Sequence, residues 1–349
     1  MSLEEVRAEA RNKLKGICGV YRICDGDPAR ICQGQSYGRP LGIGGIGSGA
    51  SFANNVKALA KLDLKMRLVG FLDDPDTSYD FFGKSLSMPI MGASVTGVNS
   101  FGGEEVISEA DFCQATVLGC KEAGTLGWRG DTYTYSEEVT PGMDAIQEAA
   151  GWGVKIFKPR AQDVLLRLLK RAEGIGMVAV GTDIDGRGSS IMRRFKQPVF
   201  AKSVDDLKEL ASTTSLPFIV KGVMAVEDAE AAVDAGASAI VVSNHGGRVL
   251  DHTPGTAEVL PEIARAVKGK IRVIVDGGVR TGYDVLKMLA LGAEAVLVGR
   301  DIIRAAVGGG AEGVRLQMEY LREMLKKAML MTNCSSLNEI TPEILWTKA

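Results

Sequence analysis

The only two imidazoles in this 349-residue chain, His245 and His252, fall in one short stretch, SNHGGRVLDH. Imidazole titrates near neutral pH, so it is the usual side chain for taking a proton from a weakly acidic group. Gly246 and Gly247 remove the side chains that would hold a ligand off the backbone. Arg248 places a permanent cation three residues from His245. A general base beside a fixed positive charge is the chemistry these residues permit in this order. A core histidine beside a tight turn is the plainer alternative, and the accompanying arginine and glycine pair argue against it.

The stretch follows AIVVS, an apolar β-branched run that reads as a buried parallel strand, so His245 belongs at the strand's C-terminal mouth. Similar runs recur at a steady pace over 89–94, 124–128, 154–158, 176–183, 217–222, 239–244, 272–278 and 295–300. Amphipathic stretches such as EADFCQATVLGCKEA and AQDVLLRLLKRAEGI separate them. Eight strands alternating with helices predict an α/β fold, a (β/α)8 TIM barrel over 88–349 closed by a C-terminal helix. A doubly wound open sheet is the other candidate, but its glycine fingerprint belongs after the first strand, whereas the glycines here are richest after strands seven and eight. Residues 1–87 form an N-terminal helical and irregular extension that packs on the barrel. Its GIGGIGSGASFANNVKALAKL carries dinucleotide-like glycines without a preceding strand, and reads as a loop capping a helix.

Polar residues cluster where these strands end: Asp183 closes the fourth, Lys221 lies in the fifth, and Ser243, His245 and Arg248 follow the sixth. Asp276, Gly277, Gly278 and Arg280 follow the seventh, and Gly299 and Arg300 the eighth. One such Asp is often only the next helix's cap, but together they converge on one face. DGGVRTG and VGRD fit the barrel phosphate site, in which backbone N–H groups and a helix N-terminus hold a dianion. Arg280 and Arg300 would add charge-assisted hydrogen bonds.

Composition excludes more than it names. The net charge of −2 carries no long basic run, which argues against nucleic acid. No apolar run nears the roughly 18 residues of a membrane span, and MSLEEVRAEARNKL is a charged amphipathic pattern unlike a signal peptide. A cytoplasmic protein is expected. The six cysteines, at 18, 24, 32, 113, 120 and 334, lack CxxC spacing and read as reduced thiols. No metal site is expected.

At these residues the chain resembles the FMN-dependent α-hydroxy acid oxidases and dehydrogenases, whose hallmark SNHGGRQLD compares with SNHGGRVLDHTPGTAEVLPEI here. The VKGV around Lys221 and DGGVRTGYDVLKMLALGAEAVLVGR match in order and spacing. The match is specific over 215–330, loose over 88–183 and hardly visible before residue 85. The resemblance implies FMN as cofactor and oxidation of a small 2-hydroxy acid to a 2-oxo acid. It makes His245 the base, Asp183 its partner, Lys221 the stabiliser of reduced flavin and Arg248 the substrate carboxylate's anchor. It assigns FMN to Ala93, Ser94, Thr182, Lys221, Ser243, Asp276, Gly278, Arg280, Gly299 and Arg300. The acceptor (oxygen, a quinone or a protein) stays open, and a homo-oligomer is expected from the relatives.

Three departures stand beside the match. The family's substrate-touching tyrosine on strand three is absent; VKIFKPR offers Lys158 and Arg160. Its second substrate arginine has only an early counterpart, Arg187 in TDIDGRGSS. Only 38 positions separate Asp183 from Lys221, so the family's long lid is largely missing. Lys158, Arg160 and Arg187 are therefore expected to line a more open mouth and meet the substrate anion. Another FMN barrel enzyme, such as a type 2 isopentenyl diphosphate isomerase, or a flavin-binding barrel without turnover, are the alternatives. The isomerase reading gives the SNHGGR segment no role, and intact His245, Asp183, Lys221 and Arg248 argue against a barrel without turnover.

Overall fold

Apolar runs buried on both faces become strands covered by helices, and here they become eight parallel strands. In the computed structural model, which describes residues 1–14, 44–70, 73–101 and 103–346, they are β1 (Ile90–Gly92), β2 (Trp128–Arg129), β3 (Val154–Phe157) and β4 (Ala179–Asp183). β5 (Phe218–Val223), β6 (Ala239–Val242), β7 (Arg272–Val275) and β8 (Ala295–Val298) complete the set. Each overlaps a run expected to be a strand. Neighbours in sequence are neighbours in the sheet, and β8 pairs in parallel with β1. β1 and β2 meet through one bridge, Gly92 with Gly127, which closes the barrel.

The alternation along each strand sorts side chains into two cores. Met91, Trp128, Val154, Ile156, Ile219, Val241, Ile274 and Leu297 fill the barrel interior. Their neighbours, including Ile90, Phe157, Val180, Val220, Ile240 and Val275, face the surrounding helices. A hairpin of Tyr79–Phe81 and Lys84–Leu86 stoppers the N-terminal end. Its turn places both Phe82 and Gly83 at positive φ, as a two-residue hairpin of this hand requires. Phe81 enters the interior core 6.0 Å from the Trp128 ring, while Arg272 at the start of β7 binds the Asp80 carbonyl. Phe81→Ala is expected to cost about 3–5 kcal/mol in chemical denaturation. A loss under about 1 kcal/mol would mean that the hairpin does not seal the core.

The described part of residues 1–87 divides between the ends of the barrel. The helix Leu3–Lys13, held by a capping box between Ser2 and Glu5, lies along the last helix. The helix Ala50–Ala60 follows the left-handed Gly49, so the glycine-rich segment does cap a helix. It seats on the C-terminal ends of β6 and β7: Asn55 Nδ2 donates to Asn244 Oδ1 at 2.8 Å and Asn55 Oδ1 accepts from the Thr256 N–H. The last helix, Arg300–Thr332, is broken at Gly309 and Gly310, so its first turns stand apart from the long outer segment. Cys18, Cys24 and Cys32 lie outside the described residues; Cys113, Cys120 and Cys334 are buried free thiols. No helix among the described residues is long and apolar enough to cross a membrane.

Candidate active site

After β6 the chain turns through three successive left-handed residues, His245 (φ 57), Gly246 (φ 61) and Gly247 (φ 78). That conformation costs an ordinary residue on the order of 1–2 kcal/mol. Gly247 is held to glycine for a second reason, whereas at Gly246 a Cβ would press on the end of a flexible side chain. A Cβ at Gly247 would lie 2.5 Å from the Phe52 backbone nitrogen, and one at Gly246 would lie 2.6 Å from Arg300 Nη1. Asn244 anchors the turn, accepting the Gly247 N–H and bonding Asn55 and Thr253. The strain is thus carried by a loop clamped between β6 and the helix Ala50–Ala60, and it aims the imidazole into a cleft.

The cleft opens at the C-terminal ends of the strands, with about 1050 Å³ of space including its mouth. Ala93, Ser94 and Thr96 after β1, Lys221 on β5, and His245 and Arg248 after β6 line it. Asp276, Gly278 and Arg280 after β7 and Gly299, Arg300 and Arg304 after β8 complete the wall. Lys221 is buried; its ammonium donates to Ser243 Oγ at 2.7 Å and pairs with Asp276 Oδ2 at 3.0 Å. Burial disfavours its charge, yet Asp276, followed by Asp185, outweighs that and holds Lys221 above the ordinary lysine range.

Behind the imidazole lie two carboxylates. His245 Nδ1 is 3.1 Å from both oxygens of Asp185 and 3.8 Å from Asp183 Oδ2. The Lys158 ammonium donates to that same Asp183 oxygen, and Asp183 Oδ1 is buried without a hydrogen-bond partner. Burial pushes the Asp183 carboxyl above its ordinary range, with Lys158 and His245 offsetting only part of it. Burial acts the same way on Asp185, but the facing imidazole, reinforced by Lys221, prevails and holds it below that range. The two carboxylates are thus shifted in opposite directions, Asp183 paired with the Lys158 cation and Asp185 facing the imidazole. His245, Asp183 and Asp185 lie close enough together to suit a metal ion, but the Lys158 cation already occupies the Asp183 oxygen.

A family model for FMN-dependent dehydrogenases matches residues 43–196 and 186–347. The chain belongs to the FMN-dependent dehydrogenase family. It is 33% identical over 332 residues to human 2-hydroxyacid oxidase 1, covering 83% of this chain and 86% of that protein. With the 4-hydroxymandelate oxidase of Amycolatopsis orientalis it shares 34% identity over 318 residues, 84% of this chain and 89% of that one. A mandelate oxidase variant solved with 2-hydroxy-phenylacetamide superposes with a TM-score of 0.77 at 32% identity, covering 99% and 98% of the two chains. A second mandelate oxidase structure, at TM-score 0.72 and 33% identity over 88% and 94%, holds a monooxide FMN adduct.

The cleft of this FMN-dependent dehydrogenase fits its cofactor. The helix Arg300–Thr332 begins at Gly299 with no side-chain cap, so its first N–H groups stay available to an anion, with Arg280 and Arg304 beside them. Asp276 Oδ1 is buried without a hydrogen-bond partner, an acceptor suited to a ribityl hydroxyl. A phosphate end and a polyol acceptor thus lie along one wall, with Lys221 beyond them.

The structure brings most of the expected residues to this cleft and turns others away. Thr182 and Ser243 sit one layer behind it: Thr182 Oγ1 donates to the Phe157 carbonyl and Ser243 Oγ accepts from Lys221. Lys158 is taken up by Asp183. The expectation that Arg160 meets the substrate needs correcting, because its guanidinium is committed to both oxygens of Asp131, to Gln197 and to the Thr132 and Tyr135 carbonyls. Arg187 is exposed and does not line the cleft. Arg187→Ala is therefore expected to leave KM and kcat within about twofold of the parent. A tenfold rise in KM in steady-state assays would return Arg187 to the site. Asp185, Phe52, Asn55 and Arg304 had no place in the sequence reading. The Arg300 and Arg304 spacing of four on one helix face was the available signal for the last.

Proposed function

We propose that the protein oxidises a small 2-hydroxy acid to the corresponding 2-oxo acid with FMN, His245 acting as the base. The supporting observation is that His245 turns Nδ1 to buried carboxylates while its ring lines the same cleft as the FMN-binding wall. Bound FMN would supply the two-electron acceptor for the hydride equivalent lost from the substrate carbon. His245 Nε2 takes the hydroxyl proton as that hydrogen leaves, and the carboxylates behind the ring stabilise the imidazolium. Arg248, in the same cleft, offers a planar fork to the two carboxylate oxygens. Asp276 and Lys221 hold one another's charge on the wall that would hold the flavin. The names of the relatives support the substrate class.

The test is the visible spectrum of the holoenzyme under anaerobic glycolate, lactate and mandelate. Bleaching of the flavin by at least one of them is expected, and the acid that bleaches fastest identifies the side chain accepted. A yellow protein that none of these acids reduces would overturn the proposal. Reoxidation by air, a quinone analogue or a carrier protein then identifies the acceptor.

A further inference from the structure

The resemblance assigns the partner of His245 to Asp183, yet the geometry favours its neighbour two residues on. Both Asp185 oxygens lie 3.1 Å from Nδ1, against 3.8 Å for the nearer oxygen of Asp183. Asp183 Oδ2 also accepts from the Lys158 ammonium, so its charge is already countered. These two features belong together in this chain. Lys158 follows β3 directly, in the segment where the family's tyrosine is missing, and TDIDGR supplies a second carboxylate just after β4.

The fold makes room for that second carboxylate. Asp185 lies in the 3-10 turn Ile184–Gly188, against Gly222 on β5. Gly222 has φ 91, beside a register irregularity between Lys221 and Val223, and a Cβ there would lie 2.5 Å from Asp185 Cγ. Gly186 does the same for the other carboxylate, since its Cβ would lie 2.5 Å from Asp183 Oδ1. Neither carboxylate lines the cleft, so both act through the imidazole.

We infer that Asp185 is the positioning residue of the base, holding His245 in the Nδ1–H tautomer and facing the imidazolium, while Lys158 neutralises Asp183. The assignment rests on His245 being the base. With Nδ1–H donating to Asp185, the Nε2 lone pair is left to receive the substrate proton. An asparagine at 185 can donate its own amide N–H to Nδ1, which moves the ring proton to Nε2 and removes that lone pair. The cost of such a tautomer error is known from hydrolase triads to reach about 10⁴-fold.

The experiment combines stopped-flow flavin reduction with 15N solid-state spectra of histidine-labelled holoenzyme. The chain has only two histidines, so His245→Gln identifies the His245 signals directly. The parent is expected to show a protonated Nδ1 and an unprotonated Nε2 in neutral His245. Asp185→Asn should exchange the two signals and slow reduction by about 10²–10⁴-fold. Asp183→Asn should keep the parental tautomer and slow reduction at least tenfold less than Asp185→Asn. Asp185→Glu, which restores the carboxylate, should keep the tautomer and recover part of the rate. Neutral His245 protonated at Nε2 in the parent overturns the assignment without any variant. So does Asp185→Asn with parental rate and tautomer, or a tautomer exchange in Asp183→Asn alone. If His245→Gln reduces FMN normally, the base itself is misassigned, which is a distinguishable failure.

Discussion

His245→Gln retains FMN and the barrel but is reduced by its 2-hydroxy acid at least about 10²-fold more slowly, and by up to about 10⁴-fold. The expectation follows from scarcity as well as geometry. The other imidazole, His252, is exposed and does not line the cleft. Asp183 and Asp185 stand behind the ring and do not reach the cleft themselves. Glutamine fills a similar volume and keeps a polar end toward Asp185, so bound flavin and the thermal transition should change little. Anaerobic stopped-flow reduction measures the effect. A parental rate would transfer the proton abstraction to another group and end the mechanism.

Lys221→Ala acts on two levels at once. In the fold, Lys221 and Asp276 form a buried pair at 3.0 Å, and removing one partner of such a pair typically costs about 3–5 kcal/mol because the other charge stays buried. Asp276 is especially exposed to this loss, since its Oδ1 already lacks a protein partner. In the cleft, the variant loses the cation expected beside reduced flavin, so reduction slows and the flavin potential falls. A denaturation series on the apoprotein reads the first effect and a redox titration of the holoenzyme the second. Parental stability would show that Asp276 finds another donor. An unchanged potential would show that Lys221 is structural.

The barrel was legible in the sequence because its strands are buried on both faces and therefore spell out continuous apolar runs. β2 was legible only in part: of GTLGW, the ladder keeps Trp128 and extends to Arg129, because Gly127 meets its neighbour through a single bridge. The hairpin at 79–86 was missed since two strands of three residues are too short to show alternation. At the site, residue types announced the turn, the base and the phosphate end. They did not announce partners. Arg160 and Asp131 are 29 residues apart, Asn55 and Asn244 are 189 apart, and no local pattern joins either pair. Asp185 was hidden differently, since an acid after a strand reads as an ordinary helix cap.

The closure of β1 on β2 separates this barrel from a uniform cylinder. Elsewhere neighbouring strands share two or more paired positions, but this join has one bridge, in which the Gly92 N–H donates to the Leu126 carbonyl at 2.9 Å. What covers the join is the helix Glu109–Glu122, and both glycines are needed for its approach. A Cβ at Gly127 would meet the Thr116 carbonyl at 2.7 Å, and one at Gly92 would meet Cys120 Sγ at 2.9 Å. The cylinder is therefore fastened along one line by a helix pressed on from outside, as a stave is held by its hoop. Ser94, two residues beyond Gly92, lies on the cleft wall, so the line of weakest pairing runs up to the rim where the flavin is expected to sit. Local opening along that line would let the rim yield to an incoming cofactor while the remaining ladders stay paired.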